Sequence, residues 1–334
     1  MIINVLNHEE WQRQNNNFTP IISKEISTSN GHVLQLGVDD DVIYEIPKGK
    51  ERTTEKLRNE FIRICSEIRK KGGLPQVNHP FDVSFSTRYN SEFWDMVEIF
   101  ESMEIWNGAT PFAAGTINAK AFKKWLSLLD EGKRLTATTG SDTHNIYGDD
   151  YFGMTEWLDW LMDIVMKHPD IYPVQMNENV AYLTWLYNKV WPRLLSWVEQ
   201  SNTPSTIHNY VYTNGKNQPQ EILQAIREGH SFISNGPLVT AEVNGVSYGE
   251  KAVLKDRTGT LSVHVFSKKP INHLWMYTGA DKKVELCAKA DAAEGGFTYD
   301  IAADEFDFGD AAWALFVADG GENNLAISNP ILFA

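Results

Sequence analysis

Apolar residues recur along this chain with two different periods, and the period changes near residue 239. From Glu51 to Lys71, Leu57, Phe61, Ile64 and Ile68 return at intervals of three and four, which predicts an amphipathic helix ended by Gly72-Gly73. Lys120 to Glu131 predicts a second helix closed by Gly132, and Met96 to Trp106 a short helix running into a strand. Gly31–Gly37, Leu74–Val77 and Thr136–Thr139 read as short buried strands; the last two stop at Asn78-His79-Pro80 and Gly140-Ser141-Asp142. Pro219 to Gly229 is a further helix, with Pro in its first turn and Gly at its end. Alternation of this kind predicts a parallel α/β unit over residues 1–238. Beyond it the period falls to two. VTAEVNGV, TLSVHVF, HLWMYTG, AAWALFVA and AISNPILF, parted by Gly, Asn and Asp, predict an antiparallel β-sandwich of about five to seven strands over 239–334. In LSVHVF the alternation sends Leu261, Val263 and Val265 to one face and His264 to the solvated other.

One stretch breaks the first pattern. Met154 to Glu199 carries five of the eleven tryptophans, with Leu158, Leu161, Met162 and Val165 at helical spacing. Two or three helices that cap the first unit are expected, their indoles serving as packing. An aromatic wall for a substrate is the alternative.

Composition narrows the chemistry. The chain has 334 residues, 42% of them hydrophobic, enough for two packed units and too many for a disordered chain. Lys and Arg number 30 against 44 Asp and Glu, a formal charge of −14, which argues against nucleic acid and anionic membranes as partners. A small-molecule substrate, even an anionic one held by a metal, stays compatible. No apolar run of about eighteen residues is present, so no membrane-spanning helix is expected. No charged-then-apolar leader opens the chain, which predicts the cytoplasm by default, or export if an upstream segment exists. Cys65 and Cys287 lie far apart in dissimilar contexts and read as two buried or half-buried thiols.

Nine histidines are present, and the informative ones sit with acids at strand ends: His8, Glu25, His32, His79, Glu104 and the Asp142-Thr143-His144 run. In parallel α/β folds, strand ends converge on one rim, and imidazole with carboxylate there suits zinc, manganese or iron. No Gly-x-Gly-x-x-Gly, Walker A or Gly-x-Ser-x-Gly motif competes. His168, His208, His230 and His273 belong to no ligand motif.

The order of these segments resembles the polymerase and histidinol phosphatase (PHP) superfamily, in its carbaryl-hydrolase-like branch. INVLNHEE (Ile3–Glu10), SKEISTSNGHVLQLG (Ser23–Gly37), GLPQVNHP (Gly73–Pro80), MEIWNG (Met103–Gly108) and TTGSDTHN (Thr138–Asn145) carry the likeness, with Tyr212–Val239 and AISNPILF (Ala326–Phe333) toward the end. About 154–202 looks like an insertion. The resemblance implies a distorted (β/α)7 barrel followed by a β-sandwich, with divalent metals at the barrel rim. It further implies hydrolysis of phosphoesters or related esters by metal-activated water. By that resemblance Glu25 bridges two metals, His79 ligates one of them, and Glu104 closes the shell of the second. Asp142 ligates the first metal, His8 and His144 serve the third, and His32 is a ligand aid or substrate contact.

The family pattern is broken at one place. It opens with a strand carrying His-x-His, and this chain has no His-x-His, with Asn7 where the family places Asp. Either the polypeptide begins upstream or a metal site is lost. The barrel is then expected without its first strand, with one or two metals. Its open edges would be covered by the insertion or by a second copy in a homo-oligomer. The leading expectation is a metal-dependent hydrolase, most of all a phosphoesterase. The alternatives are a catalytically reduced binding or assembly module and, more weakly, a carbohydrate-associated module.

Overall fold

A computed structural model describes residues 19–28, 30–44, 53–82, 89, 91–108, 112–142, 207–286, 288–321 and 324–334. Strands β1 (Ser23–Thr28) and β2 (Gly31–Leu36) come first. Two residues separate them, too few for a crossover, so they pair antiparallel with Glu25 opposite Leu34. Thr28 Oγ1 closes the turn, donating to Gly31 O at 2.6 Å, and Gly31 takes φ 126°, which a side chain would resist.

Helix α1 (Thr54–Lys70) follows, capped by Thr53, whose side chain accepts from Lys56 N; it buries Leu57, Phe61, Ile64 and Ile68 as their spacing predicts. Strand β3 (Leu74–Asn78), a 3-10 helix (Ser91–Ile99), β4 (Ser102–Asn107), α2 (Ile117–Asp130) and β5 (Thr136–Gly140) complete the first layer. Helix α2 begins three residues before the predicted Lys120, because Thr116 caps it through Ala119 N.

These strands form a five-stranded sheet in the order β1-β2-β3-β4-β5. Only β3–β4 and β4–β5 are parallel; β1–β2 and β2–β3 are antiparallel. The expected (β/α)7 barrel, with or without its first strand, is therefore not what the described residues form: they are mostly strand, in mixed and antiparallel sheets of which none closes. The physical reason is local. Strands β1 and β2 pair antiparallel, and β2 pairs antiparallel with β3, so α1 joins antiparallel neighbours instead of making a βαβ crossover.

The remaining elements are β6 (His208–Val211), α3 (Pro219–Glu228), β7 (Ser231–Ser234), β8 (Leu238–Val243), β9 (Lys251–Ala252), β10 (Thr258–Ser267), β11 (His273–Gly279), β12 (Lys282–Glu285), β13 (Ala290–Ala293), β14 (Gly296–Asp307), β15 (Trp313–Asp319), β16 (Leu325–Ser328) and β17 (Ile331–Phe333). Strands β13-β14-β10-β8 make one sheet, and β12-β11-β15-β16-β7-β6, with β17 and β9, make an eight-stranded one. Val239, Val263 and Val265 of the smaller sheet pack on Met276, Phe316 and Ala326 of the larger. Leu315, Val317 and Ile327, on the larger sheet's other face, join the core around Trp125 and Phe61. Strand β15 is thus apolar on both faces, and its first six residues are buried. His264 lies exposed, 2.6 Å from Asp300, on the solvated face its alternation predicted. The larger sheet straddles residue 238, since β7 pairs with β16.

The outer edge of β5 meets side chains where a strand would continue the sheet. Asn329 accepts from Ala137 N at 2.7 Å and donates to Ala137 O at 3.2 Å. Two residues on, Asn209 accepts from Thr139 N at 3.0 Å and donates to Thr139 O at 2.8 Å. Each amide supplies the donor and acceptor that a neighbouring antiparallel residue would supply.

Cys65 is buried, and burial raises its thiol far above the ordinary value, so it is an inert core residue. Cys287 and the tryptophan-rich stretch lie outside the described residues. Among the described residues no helix is long and apolar enough to cross a membrane.

Candidate metal centre

Strand β1 turns Ile26 inward to the core and leaves Glu25 half-buried on the opposite face. The antiparallel neighbour β2 brings His32 to that face, and β3 ends in Asn78 and then His79. Glu25 collects these groups. Its Oε1 lies 3.0 Å from His79 Nε2 and accepts from Asn78 Nδ2 at 2.8 Å; its Oε2 lies 3.1 Å from His32 Nδ1. The two imidazoles stand edge to face with ring centroids 5.0 Å apart. One ligand atom from each of Glu25, His32 and His79 falls within 4.8 Å of the others. These three residues form a possible metal-binding triad.

A buried relay orients the carboxylate. Ser102 Oγ and Thr138 Oγ1 both donate to Gln76 Oε1, at 3.1 and 2.8 Å. The Gln76 amide therefore turns its NH2 to Asn78 Oδ1, 2.8 Å away, which leaves the Asn78 NH2 for Glu25. The sequence signal for this relay is a glutamine in the middle of the apolar strand LPQVN, all of which is buried.

Beside the triad sits a pair of carboxylates, Glu104 and Asp142. Glu104 is buried; its Oε2 accepts from His79 N at 2.6 Å and lies 3.5 Å from Asn107 Nδ2, which also donates to Asp142 Oδ2 at 3.1 Å. His79 and Asp142 both have positive φ, 24° and 52°, and a bulky imidazole is uncommon there. The Glu104 hydrogen bond holds the turned backbone of His79. Gly140 makes room for the same acid, since a Cβ there would stand 2.9 Å from Glu104 Oε1.

The electrostatics follow from this crowding. Burial pushes the Glu25 carboxyl up, but the close approach of His32 and the hydrogen bonds to His79 and Asn78 outweigh it and hold the group well below the ordinary carboxylate range. Burial pulls His79 down, yet the hydrogen bond to Glu25 and the charges of Glu104, Glu25 and Asp142 raise it to about 9. Burial pushes Glu104 up to about 7 against the pull of His79. A cavity of about 530 Å³ opens on this cluster, with Glu25, His79, Glu104 and Asp142 on one wall and aliphatic Leu34, Leu36, Ile222 and Ile226 also lining it.

Of the residues the sequence singled out, Glu25, His32 and His79 come together as a triad, and Glu104 and Asp142 line the same cavity outside it. His32 stands closer to the centre than its reading as a ligand aid or substrate contact implied. His8 and His144 lie outside the described residues.

Two imidazoles and one carboxylate are the donor set of a catalytic divalent site, in which three protein ligands leave a position open. The residues fit such an ion. His32 Nδ1 and His79 Nδ1 are buried without an aligned hydrogen-bond partner, so this ring pair is not fully satisfied by protein alone. Compared with protein-family models, curated protein sequences and solved structures, the chain matches none.

Proposed function

We propose that this chain is a metal-dependent hydrolase acting on a small phosphoester or related ester. The observation that carries the reading is the convergence of Glu25, His32 and His79, two of which, Glu25 and His79, line a cavity of about 530 Å³. The ordered likeness of five sequence segments to the PHP superfamily supports it independently of the fold. Glu25, His32 and His79 would hold one divalent ion, with Glu104 and Asp142 as neighbours in the same cavity.

A bound ion would lower the pKa of water and polarise the ester oxygen. The chain's own residues do the rest. Glu25 brings the charge that neutral imidazoles lack, and Asn78 fixes its orientation. Glu104, poised at about 7, can take or release a proton at its Oε1 near neutral pH, while its Oε2 stays committed to His79 N. The aliphatic wall of Leu34, Leu36 and Ile226 excludes water from that side of the cavity.

The second reading, a catalytically reduced binding module, is favoured by one observation: Glu25 already has three partners without any ion. The test is elemental analysis of the purified chain, followed by p-nitrophenyl phosphate and p-nitrophenyl acetate hydrolysis with added Mn2+ or Zn2+. Stoichiometric metal with turnover supports the hydrolase. Metal without turnover of either ester supports the binding module. No metal uptake at all rejects the hydrolase and supports the binding module in its metal-free form.

A further inference from the structure

A second cavity, of about 440 Å³, shares no lining residue with the cavity at the metal centre. It lies over the outward face of the smaller sheet, where Glu242 of β8 and Ser262 of β10 are cross-strand partners. Tyr212, which follows β6, forms one wall, and His230 and Glu250 form another. Tyr212 is 42% exposed, and its ring contacts buried Tyr248 with centroids 6.3 Å apart, which leaves aromatic surface facing the cavity.

The lining has a distinctive inventory. Among the described residues no Lys or Arg lines this cavity, which disfavours a phosphate or carboxylate ligand. The acceptors are the Glu242 and Glu250 carboxylates; the donors are the Tyr212 and Ser262 hydroxyls, the Asn214 amide and the His230 ring. Burial, reinforced by the Glu242 charge, raises the Tyr212 phenol above its ordinary value, so it remains a donor. Glu242, Asn214 and Ser262 have no side-chain partner among the described residues, and His230 Nε2 stands 3.8 Å from Glu250, beyond a hydrogen bond. A cation would be met by the carboxylates but would leave the Asn214 N–H and hydroxyl donors unused, and an anion would find two carboxylates. A neutral molecule whose hydroxyls both donate and accept, and whose C–H face is flat, meets every group present.

We propose that this cavity is a carbohydrate-binding subsite, in which Tyr212 stacks on a sugar ring and Glu242, Ser262 and Asn214 bind its hydroxyls. The two carboxylates accept from adjacent hydroxyls, and the amide and phenol donate to the same ring. The subsite is independent of the hydrolase reading, because none of its residues touches the triad.

The experiment is saturation-transfer NMR on the full chain with glucose, galactose, N-acetylglucosamine, maltose and cellobiose, with choline and inorganic phosphate as charged comparators. At least one sugar is expected to receive transfer. Tyr212→Ala and Glu242→Ala are each expected to weaken its binding by about tenfold or more, the equivalent of about 1.4 kcal/mol. Tyr212→Phe, which keeps the ring, should retain binding within a few-fold, and unchanged metal content and melting temperature show that the variants are folded. The proposal is overturned if no sugar receives transfer, if both alanine variants bind as tightly as the parent chain, or if choline or phosphate occupies the cavity in preference to every sugar.

Discussion

At the scale of single residues, the metal centre is a set of charges that hold one another in place. With His79 raised to about 9 and Glu25 well below its ordinary range, the metal-free site carries a proton where an ion would sit. Metal must displace that proton, so apparent affinity is expected to rise about tenfold per pH unit from pH 7 and to level off near the His79 pKa. Competition titration against a chelator across that range measures the slope, and a flat profile contradicts the assignment of His79 as ligand. Stability of the metal-free chain should run the other way. A group whose folded pKa is raised contributes stability below its unfolded value and loses it as pH climbs through the folded one. Glu104, raised from 4.5 to about 7, therefore predicts a melting temperature that falls between about pH 4.5 and 7, and His79, raised from 6.5 to about 9, a further fall between about pH 6.5 and 9. The depressed Glu25 adds stability that is lost only in acid. Two substitutions separate ligand from orienter. Glu25→Gln keeps the shape but removes the charge, and should abolish most metal binding by elemental analysis. Asn78→Ala leaves the ligands intact and should weaken metal affinity by about 10- to 100-fold, as loss of an orienting partner does. Metal content unchanged in Glu25→Gln would remove Glu25 from the centre.

At the scale of elements, β5 is held by two asparagine side chains in place of a strand. Asn329 is fully buried and, besides Ala137 N and O, donates to Ser231 O at 3.0 Å and to Ser231 Oγ at 2.9 Å. Asn329→Ala removes the side-chain partner of Ala137 N, Ala137 O and Ser231 Oγ, while Ser231 O keeps the Asn329 backbone N–H, at about 1–3 kcal/mol for each group left unpaired that water cannot reach. A loss of more than about 3 kcal/mol is expected in urea unfolding. Asn209 is exposed apart from its amide, so Asn209→Ala should cost about 1 kcal/mol. Equal, small losses from both would show that neither amide stands in for a strand. The other elements were largely legible in sequence. The four apolar positions of α1, the Pro and Gly bounds of α3 and the alternation of β10 all describe one local face each, and the structure buries those faces. Strand β1 was not read as a strand, because Lys24 and Ser27 interrupt its apolar positions and only Ile26 and Thr28 turn inward.

At the scale of the molecule, the eight-stranded sheet is the element that both cores share. It packs Phe316 and Ala326 on the smaller sheet and Leu315, Val317 and Ile327 on the α2 side. Deleting residues beyond 238 would strip β7 of its partner β16 and open both cores at once. A 1–238 fragment is therefore expected to be insoluble, and a soluble, metal-loaded, monomeric fragment by gel filtration would contradict this. The sequence alone determined which stretches form most helices and strands, and singled out imidazole and carboxylate residues, Glu25, His79, Glu104 and Asp142 among them, that the structure places around one cavity. Those features depend on local spacing and on residue type at strand ends. Strand direction and partnership were decided only in three dimensions. A hairpin of two linking residues turned an expected parallel barrel into an open mixed sheet, and side-chain amides from residues 209 and 329 stopped its edge. The placement of His32 against Glu25 was likewise tertiary, since it depends on the register in which β2 lies between β1 and β3. Periodicity records which face of an element is apolar; it carries no record of which element that face will meet.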